Sequence, residues 1–223
     1  MRQTVIDRTN RCRPGWLAVA LVALTAAARG QPNWYMGAVA GYAVAPATTA
    51  THGADKADTG FKPGATLGVV GGQDLYEHVS GEFRYLFRFS DLKVAQGGTE
   101  VRFAGRAHLF HYDLLVQARG RSAPVRPYLA VGVGLKLYQG TDEEAAFQPL
   151  SRFAILTRTR QVVAMVSLGG GVRIRIGERS WLRWELRDCL TPFPKNVIAP
   201  GRGAKISGWV HDLVPMASIG VSF

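Results

Sequence analysis

The sequence contains no run of about 18 or more consecutive apolar residues, which excludes a membrane-spanning helix of ordinary length. Cysteine is almost absent, since the 223 residues include only Cys12 and Cys189. Cys12 lies upstream of the one long apolar segment, so it cannot be a lipid-modified cysteine that follows a signal sequence. Acidic residues are also scarce, with 16 Asp and Glu against 27 Lys and Arg. The fold therefore depends on packing and hydrogen bonding rather than on disulfide bonds.

The apolar segment, residues 16–28, is too short to cross a bilayer but has the flanks of a secretory signal peptide. Small residues and an acceptable cleavage site, residues 28–30, follow it, and Arg29 leaves the exact point of cleavage open. Four arginines precede it: Arg2, Arg8, Arg11 and Arg13. We predict that residues 1–30 are a signal peptide and that residues 31–223 are the exported domain. A buried N-terminal helix is the alternative.

Export changes the net charge of the mature chain and the partners that this charge implies. Loss of residues 1–30 removes five of the 27 basic and one of the 16 acidic side chains, which leaves a net charge of +7. A basic exported chain meets anionic lipid head groups and lipopolysaccharide phosphates, whereas nucleic acid is not an expected partner. We therefore predict outer-membrane lipid and lipopolysaccharide as partners.

Large apolar side chains alternate with small or polar ones over the last fifteen residues, 209–223. Successive side chains of a strand point to opposite faces, so one face carries Leu213, Pro215, Ala217, Ile219, Val221 and Phe223. The other face carries Asp212, Val214, Met216, Ser218, Gly220 and Ser222. The closing strand of a membrane barrel has this pattern, because its outer face meets lipid.

Seven earlier segments show related patterns, so the chain is predicted to form eight strands. The clearest alternation is in residues 161–176 and in residues 79–89, where aromatic side chains oppose charged ones. In residues 99–117 the pattern puts Ala107 and Leu109 on the outer face and then changes phase near Phe110, which we interpret as a β-bulge. The eight segments are residues 31–43, 63–72, 79–89, 99–117, 126–138, 161–176, about 182–187, and 209–223.

Long and short connections alternate between these strands, and the long ones cover about residues 44–62, 90–98, 140–159 and 190–208. An even number of antiparallel strands with this rhythm is typical of outer-membrane barrels. We predict an all-β fold, an eight-stranded antiparallel up-and-down transmembrane β-barrel in the bacterial outer membrane, with both chain ends in the periplasm. A soluble β-sandwich or lipocalin-like barrel is the alternative, and it would place the apolar side chains inside.

Three segments carry a resemblance to a known family: WYMGAVAGY at residues 34–42, RPYLAVGVGLK at residues 126–136, and ASIGVSF at residues 217–223. They resemble the small eight-stranded outer-membrane β-barrel family of the OmpA/OmpX type. The likeness covers nearly all of residues 31–223. It implies that Phe223 is the C-terminal aromatic signal read by the barrel-assembly machinery. Pro215 departs from the pattern, because proline lacks the N–H of a ladder hydrogen bond, and a kink is expected there.

An eight-stranded barrel is narrow enough for side chains to fill its interior. The strand phases predict a lumen charge network of Glu82, Arg84, Arg88, Arg102, Arg106, Lys136, Arg173, Arg175, Arg183, Glu185 and Arg187. Buried charges need partners, yet this set holds two acids and nine bases. Loop acids, tyrosines, water or a bound anion must supply the rest. A polar plug is the favoured interpretation, and an anion-binding lumen is the alternative.

Candidate catalytic residues are few. His211, Asp212 and Ser207 suggest a lipid-hydrolase site like that of the lipid A deacylases of the outer membrane, but adjacent residues of a strand face opposite ways. His108 and His111 also face opposite ways on an ideal strand, so no metal site is predicted. No cofactor is predicted either, and Cys189 is expected to be inert.

We therefore predict a non-enzymatic, monomeric membrane protein with a structural or surface-interaction role through its long loops. The alternatives are a barrel-embedded lipid hydrolase and a narrow channel or carrier for small molecules.

Overall fold

The computed structural model describes residues 34–145 and 147–223. The signal peptide predicted for residues 1–30 lies outside the described residues. The described chain forms β1 (Trp34–Ala43), β2 (Thr48–His52), β3 (Asp55–Phe61), β4 (Gly64–Asp74), β5 (Val79–Phe89), β6 (Leu92–Gln96), β7 (Thr99–Phe103), β8 (Gly105–Gln117), β9 (Val125–Gly140), β10 (Ala154–Leu156), β11 (Arg160–Arg175), β12 (Ser180–Pro192), β13 (Ile198–Pro200), β14 (Lys205–Ile206) and β15 (Trp209–Ser222).

Eight of these strands close into one antiparallel barrel in the order β1-β15-β12-β11-β9-β8-β5-β4. Strand β1 closes it, because it pairs with β4 on one side and with β15 on the other. The predicted eight-stranded antiparallel barrel is thereby confirmed. No helix in the described part of the chain is long and apolar enough to cross a membrane.

The apolar side chains of the barrel strands face outward. Leu129 is 73 % exposed and Val133 is 67 % exposed, whereas the charged Arg84 is only 3 % exposed. An unbroken apolar belt around the outside is stable only against lipid, because water would have to solvate it. The predicted orientation is therefore confirmed, and the alternative of a soluble sandwich or lipocalin-like barrel with an apolar interior is wrong.

The fourth predicted strand is in fact two strands of two different sheets. The chain leaves β7 at Phe103 and enters the barrel in β8, where Ala107 and Leu109 are buried inside and Phe110 is outside. The pairing of β8 with β5 is continuous, so the predicted bulge near Phe110 and the outward placement of Ala107 and Leu109 are wrong. Strand β7 belongs to another sheet, so the faces of its side chains do not predict those of β8.

Pro215 leaves β15 unbroken but interrupts one of its two ladders. The β12 ladder runs through Pro215, opposite Leu186. The β1 ladder stops at the pair Gly41 and Met216 and resumes, in the same register, at Val44 and Leu213. The strand keeps its direction because the N–H that proline lacks would have pointed toward β1 only. The structure therefore shows one missing hydrogen bond between β15 and β1 where a kink was expected.

The four long connections fold together at one end of the barrel. Three of them build a five-stranded sheet in the order β14-β2-β3-β6-β7, and a second pairing joins β10 to β13. We call these connections, residues 45–63, 90–104, 141–159 and 193–208, the loop cap. Its interior is apolar and includes Phe61, Leu92, Phe153, Leu156 and Ile198.

The three short connections, residues 75–78, 118–124 and 176–179, lie at the opposite end, which we call the short-turn mouth. Trp34 and Phe223 lie there as well, since the Phe223 backbone N–H donates to the Trp34 carbonyl at 2.8 Å. Both ends of the described chain are therefore on the same side of the barrel, as predicted for an even strand number.

Candidate functional site

Glu82 on β5 is the centre of a buried ionic network inside the barrel. Its carboxylate accepts hydrogen bonds from Arg84 Nη2 at 2.6 Å and from Arg183 Nη1 at 2.6 Å. The hydroxyl of Tyr35 donates to it at 3.1 Å. Strands β5 and β12 lie diametrically opposite in the barrel order, so the bond between Glu82 and Arg183 crosses the full width of the lumen.

Glu185 on β12 extends the network. Arg84 donates to both of its oxygens, at 3.2 Å to Oε2, and thereby bridges Glu185 to Glu82. Tyr128 donates its hydroxyl to Glu185 at 2.8 Å, and Arg187 Nε donates at 3.1 Å. Because all of these groups are buried and hydrogen-bonded, their charges offset one another in a region that water does not solvate.

Asp212 on β15 anchors a second part of the network, closer to the loop cap. Its two carboxylate oxygens accept from Arg88 Nη1 and Lys136 Nζ, respectively. Lys136 also lies over the ring of Tyr138, with 4.3 Å between Nζ and the ring centroid. Asp212 therefore holds together three barrel strands, β5, β9 and β15, and its side chain is committed to the lumen.

Two further acids complete the lumen, and both escaped the sequence analysis. Asp113 on β8 lies 2.9 Å from Arg187 Nη1. Asp74 at the end of β4 lies 3.1 Å from Arg126 Nη1. Asp74 lies just beyond the second predicted strand, residues 63–72, in a predicted connection. The phase predicted after Phe110 does put Asp113 on the inner face, so the strand pattern carried a signal for Asp113, although the predicted network does not include it.

The structure places eight of the eleven predicted network residues inside the barrel: Glu82, Arg84, Arg88, Lys136, Arg173, Arg183, Glu185 and Arg187. The other three are corrections. Arg102 is an exposed residue of β7 in the loop cap, Arg106 faces outward on β8, and Arg175 is exposed at the short-turn mouth. Arg102 lies in β7, which is not a barrel strand, and Arg106 was misplaced by the wrong phase of residues 105–109. Arg175 has the correct phase but lies beyond the buried part of the lumen.

The charge inside the barrel is much better balanced than the sequence implied. Seven basic side chains meet five acidic ones among the described residues of the lumen. The bases are Arg84, Arg88, Arg126, Lys136, Arg173, Arg183 and Arg187, and the acids are Asp74, Glu82, Asp113, Glu185 and Asp212. An excess of two positive charges remains.

His211 and Asp212 do not act on the same side of the barrel wall. His211 faces outward, where its Nδ1 lies 2.8 Å from Oδ2 of Asp188, while Asp212 faces the lumen. Within the described residues, no hydrogen bond links Ser207 to His211. The acid that contacts His211 is thus Asp188, which is not among the residues predicted for this site. A catalytic triad also needs a nucleophile in contact with the histidine, and Ser207 makes no such contact.

The remaining candidates for chemistry are separated by the barrel wall. His108 lies on the outer face, 2.9 Å from the Tyr85 hydroxyl, and His111 lies inside, 3.0 Å from Asp113. Cys189 is a buried free thiol that faces the lumen. The described ranges contain no group of three or more His, Cys, Asp or Glu that could hold a metal ion.

Comparison with known proteins gives a family match. The sequence model of the outer membrane protein beta-barrel domain family matches residues 15–194. Among solved structures, Neisserial surface protein A is similar, with a TM-score of 0.53, 13 % identity, and coverage of 85 % of this chain and 97 % of that chain. Comparison with the curated protein sequences gives no significant match.

Two barrels from Pseudomonas aeruginosa are similar over most of their length. For OprG the TM-score is 0.47 and the identity 12 %, with coverage of 85 % of this chain and 96 % of that chain. For the N-terminal barrel domain of OprF the TM-score is 0.45 and the identity 14 %, with coverage of 86 % and 98 %.

Proposed function

Because the chain belongs to the outer membrane protein beta-barrel domain family and lies in the bacterial outer membrane, we propose that it is a non-conducting, non-enzymatic anchor for a folded surface structure. In barrels of this kind the long loops are outside the cell and the short turns are in the periplasm. The loop cap then faces the environment, and the short-turn mouth faces the periplasm. We propose that the protein acts there as a monomer.

This proposal rests on one observation: ionic side chains bridge the lumen across its width, and the loops above them are folded. Arg84 links Glu82 to Glu185 through the middle of the barrel. Above it, the loops share sheets and an apolar interior instead of extending freely into solvent. A barrel built to transport solutes needs an aqueous path, whereas a barrel built to present a surface needs rigid loops.

A row of polar side chains at the loop end of the apolar belt supports lipopolysaccharide as a partner. Arg106 pairs in register with Gln139, and Gln139 pairs with Arg160 on the next strand. Both arginines are exposed on the outer face. Arginine binds phosphate groups well through its planar fork of donors. We also propose that the barrel-assembly machinery reads Phe223 during insertion.

The absence of transport is tested by recordings from planar lipid bilayers. We expect the inserted protein to give no stable conductance, because ionic bridges among Glu82, Arg84 and Glu185 cross the lumen. A known open porin, inserted in the same bilayers, serves as the positive control. Steady single-channel steps from the wild-type protein would contradict the anchor proposal and favour the channel.

The contact between His211 and Asp188 is the one observation that favours a lipid hydrolase. We nevertheless expect no release of fatty acid from lipid A or phospholipid by the wild-type protein, because no hydroxyl group in residues 34–145 and 147–223 is hydrogen-bonded to His211. The His211→Ala variant should give the same background as the wild type in a mass-spectrometric assay of the lipids. Hydrolysis by the wild type that disappears in His211→Ala would overturn the non-enzymatic proposal.

A further inference from the structure

A basic cavity of about 190 Å³ lies at the short-turn mouth. It is lined by the ends of five barrel strands, β4, β9, β11, β12 and β15, and by two of the short turns. The residues that decide its chemistry are Asp74, Arg126, Arg173, Arg175, Arg179 and Trp181. A cavity of this volume accommodates several water molecules or a small anion.

Arg173 is a buried charged group of this lining that forms no salt bridge within the described residues. It is 8 % exposed, and its Nη2 donates to the Ser222 hydroxyl at 2.8 Å. Its guanidinium lies over the rings of Tyr35 at 4.3 Å and Trp181 at 4.8 Å. Its Nη1 has no hydrogen-bond partner, and it forms no salt bridge within the described residues. An unpaired buried charge is strongly unfavourable, so this arrangement favours the binding of a counter-charge.

A second donor in the same cavity is also unsatisfied. The indole Nε1 of Trp181 is buried and has no hydrogen-bond partner in the described part of the chain. Indole nitrogen can only donate, as can guanidinium nitrogen. Two buried donors without a partner in one lining indicate a ligand that accepts hydrogen bonds.

Neither acid that lines the cavity forms a salt bridge with Arg173 within the described residues. Asp74 is occupied by Arg126 at 3.1 Å and by the Ser80 hydroxyl at 2.5 Å. Glu178 lies on an exposed turn and forms no salt bridge within the described residues. Arg175 and Arg179 are exposed on the same side, and Arg121 contributes a further guanidinium to the lining. Five arginines thus surround a space that holds two carboxylates.

We infer that this cavity binds an oxyanion of the phosphate class, with Arg173 and Trp181 as its buried donors. A phosphate group has several acceptor oxygens and can satisfy both side chains at once, and a guanidinium fork matches its geometry. Arg175 and Arg179 attract the anion to the mouth. The inference does not depend on the loop cap or on the proposed surface role, because the site is at the opposite end of the barrel.

Two sources of this chemistry reach the periplasmic face: the head group of an inner-leaflet phospholipid and a free phosphate or phosphate monoester. The test uses the folded protein in neutral alkyl-maltoside micelles, titrated calorimetrically with inorganic phosphate and, in parallel, with short-chain phosphatidylglycerol. We expect saturable binding that weakens about tenfold or more in Arg173→Gln, because a hydrogen bond to a charged group is lost. The matched control Arg102→Gln, an exposed arginine of the loop cap, should bind as the wild type does.

The heat-dependent shift in gel mobility confirms that each variant is folded, and Arg179→Gln provides a second variant in an exposed position that cannot affect folding through burial. Tighter binding of phosphatidylglycerol than of phosphate identifies the head group as the ligand, whereas equal binding identifies a free phosphate. Either result supports the site if Arg173→Gln weakens it. The inference is overturned if neither probe binds saturably, or if Arg173→Gln and Arg102→Gln bind alike.

Discussion

Replacing Glu82 by Gln is expected to lower the free energy of unfolding of the barrel by about 3–5 kcal/mol. The carboxylate accepts from Arg84 and Arg183, and both arginines are buried. Without its charge they remain in the lumen with an excess of positive charge that water cannot solvate. The measurement is urea unfolding in detergent micelles, followed by tryptophan fluorescence.

Glu100 provides the matched control. It lies in the loop cap, and hydrogen bonds from Lys62 and Arg102 lower the pKa of its carboxyl, so it is also ionised at neutral pH. Its ion pairs are solvent-exposed, however, and exposed pairs contribute little to stability because water and salt screen them. Equal unfolding midpoints for Glu82→Gln and Glu100→Gln would show that the lumen network does not stabilise the barrel.

Replacing Phe153 by Ala is expected to unfold the loop cap while the barrel stays closed. Phe153 is fully buried in the apolar interior of the cap, where His52 contacts it edge-on with ring centroids 6.3 Å apart. Truncation of a buried phenylalanine costs about 3–5 kcal/mol. We expect this loss to exceed the stability that the short pairing of β10 with β13 gives the loop cap. Limited trypsin digestion should then cut after exposed basic residues such as Arg158 much faster than in the wild type.

Phe147 is the control for this effect, because it belongs to the same long connection but is 78 % exposed. Phe147→Ala should leave the digestion rate unchanged, and both variants should keep the heat-dependent gel mobility of a folded barrel. If Phe153→Ala resists trypsin as the wild type does, the cap is held by its sheets alone. If Phe153→Ala also loses the mobility shift, the cap and the barrel fold as one unit.

The faces of most barrel strands were predictable from the sequence because the period-two alternation is a local property. In β9 and β11 the apolar residues Leu129 and Val166 face outward, as predicted, and the inner positions carry glycine and charge. In β15 the alternation also placed Asp212 on the inner face. Nothing in these assignments required knowledge of a distant part of the chain.

The loop cap was not predictable, because its strands are short and pair with distant segments. Hairpins β2–β3 and β6–β7 were interpreted as plain loops or, for β7, as the start of a barrel strand. Their pairing through β3 and β6 joins connections that are about thirty residues apart. Such contacts leave little trace in local periodicity.

The sequence by itself determined the number of barrel strands, the lipid-facing side of nearly every barrel strand, and the sign but not the size of the net charge inside. Only the tertiary structure decided which acid neutralises which base, that Asp74 and Asp113 join them, and that Arg173 keeps an unsatisfied donor. The physical reason is that side-chain direction follows from neighbouring residues along one strand, whereas ion pairs across a lumen depend on the shear and closure of all eight strands.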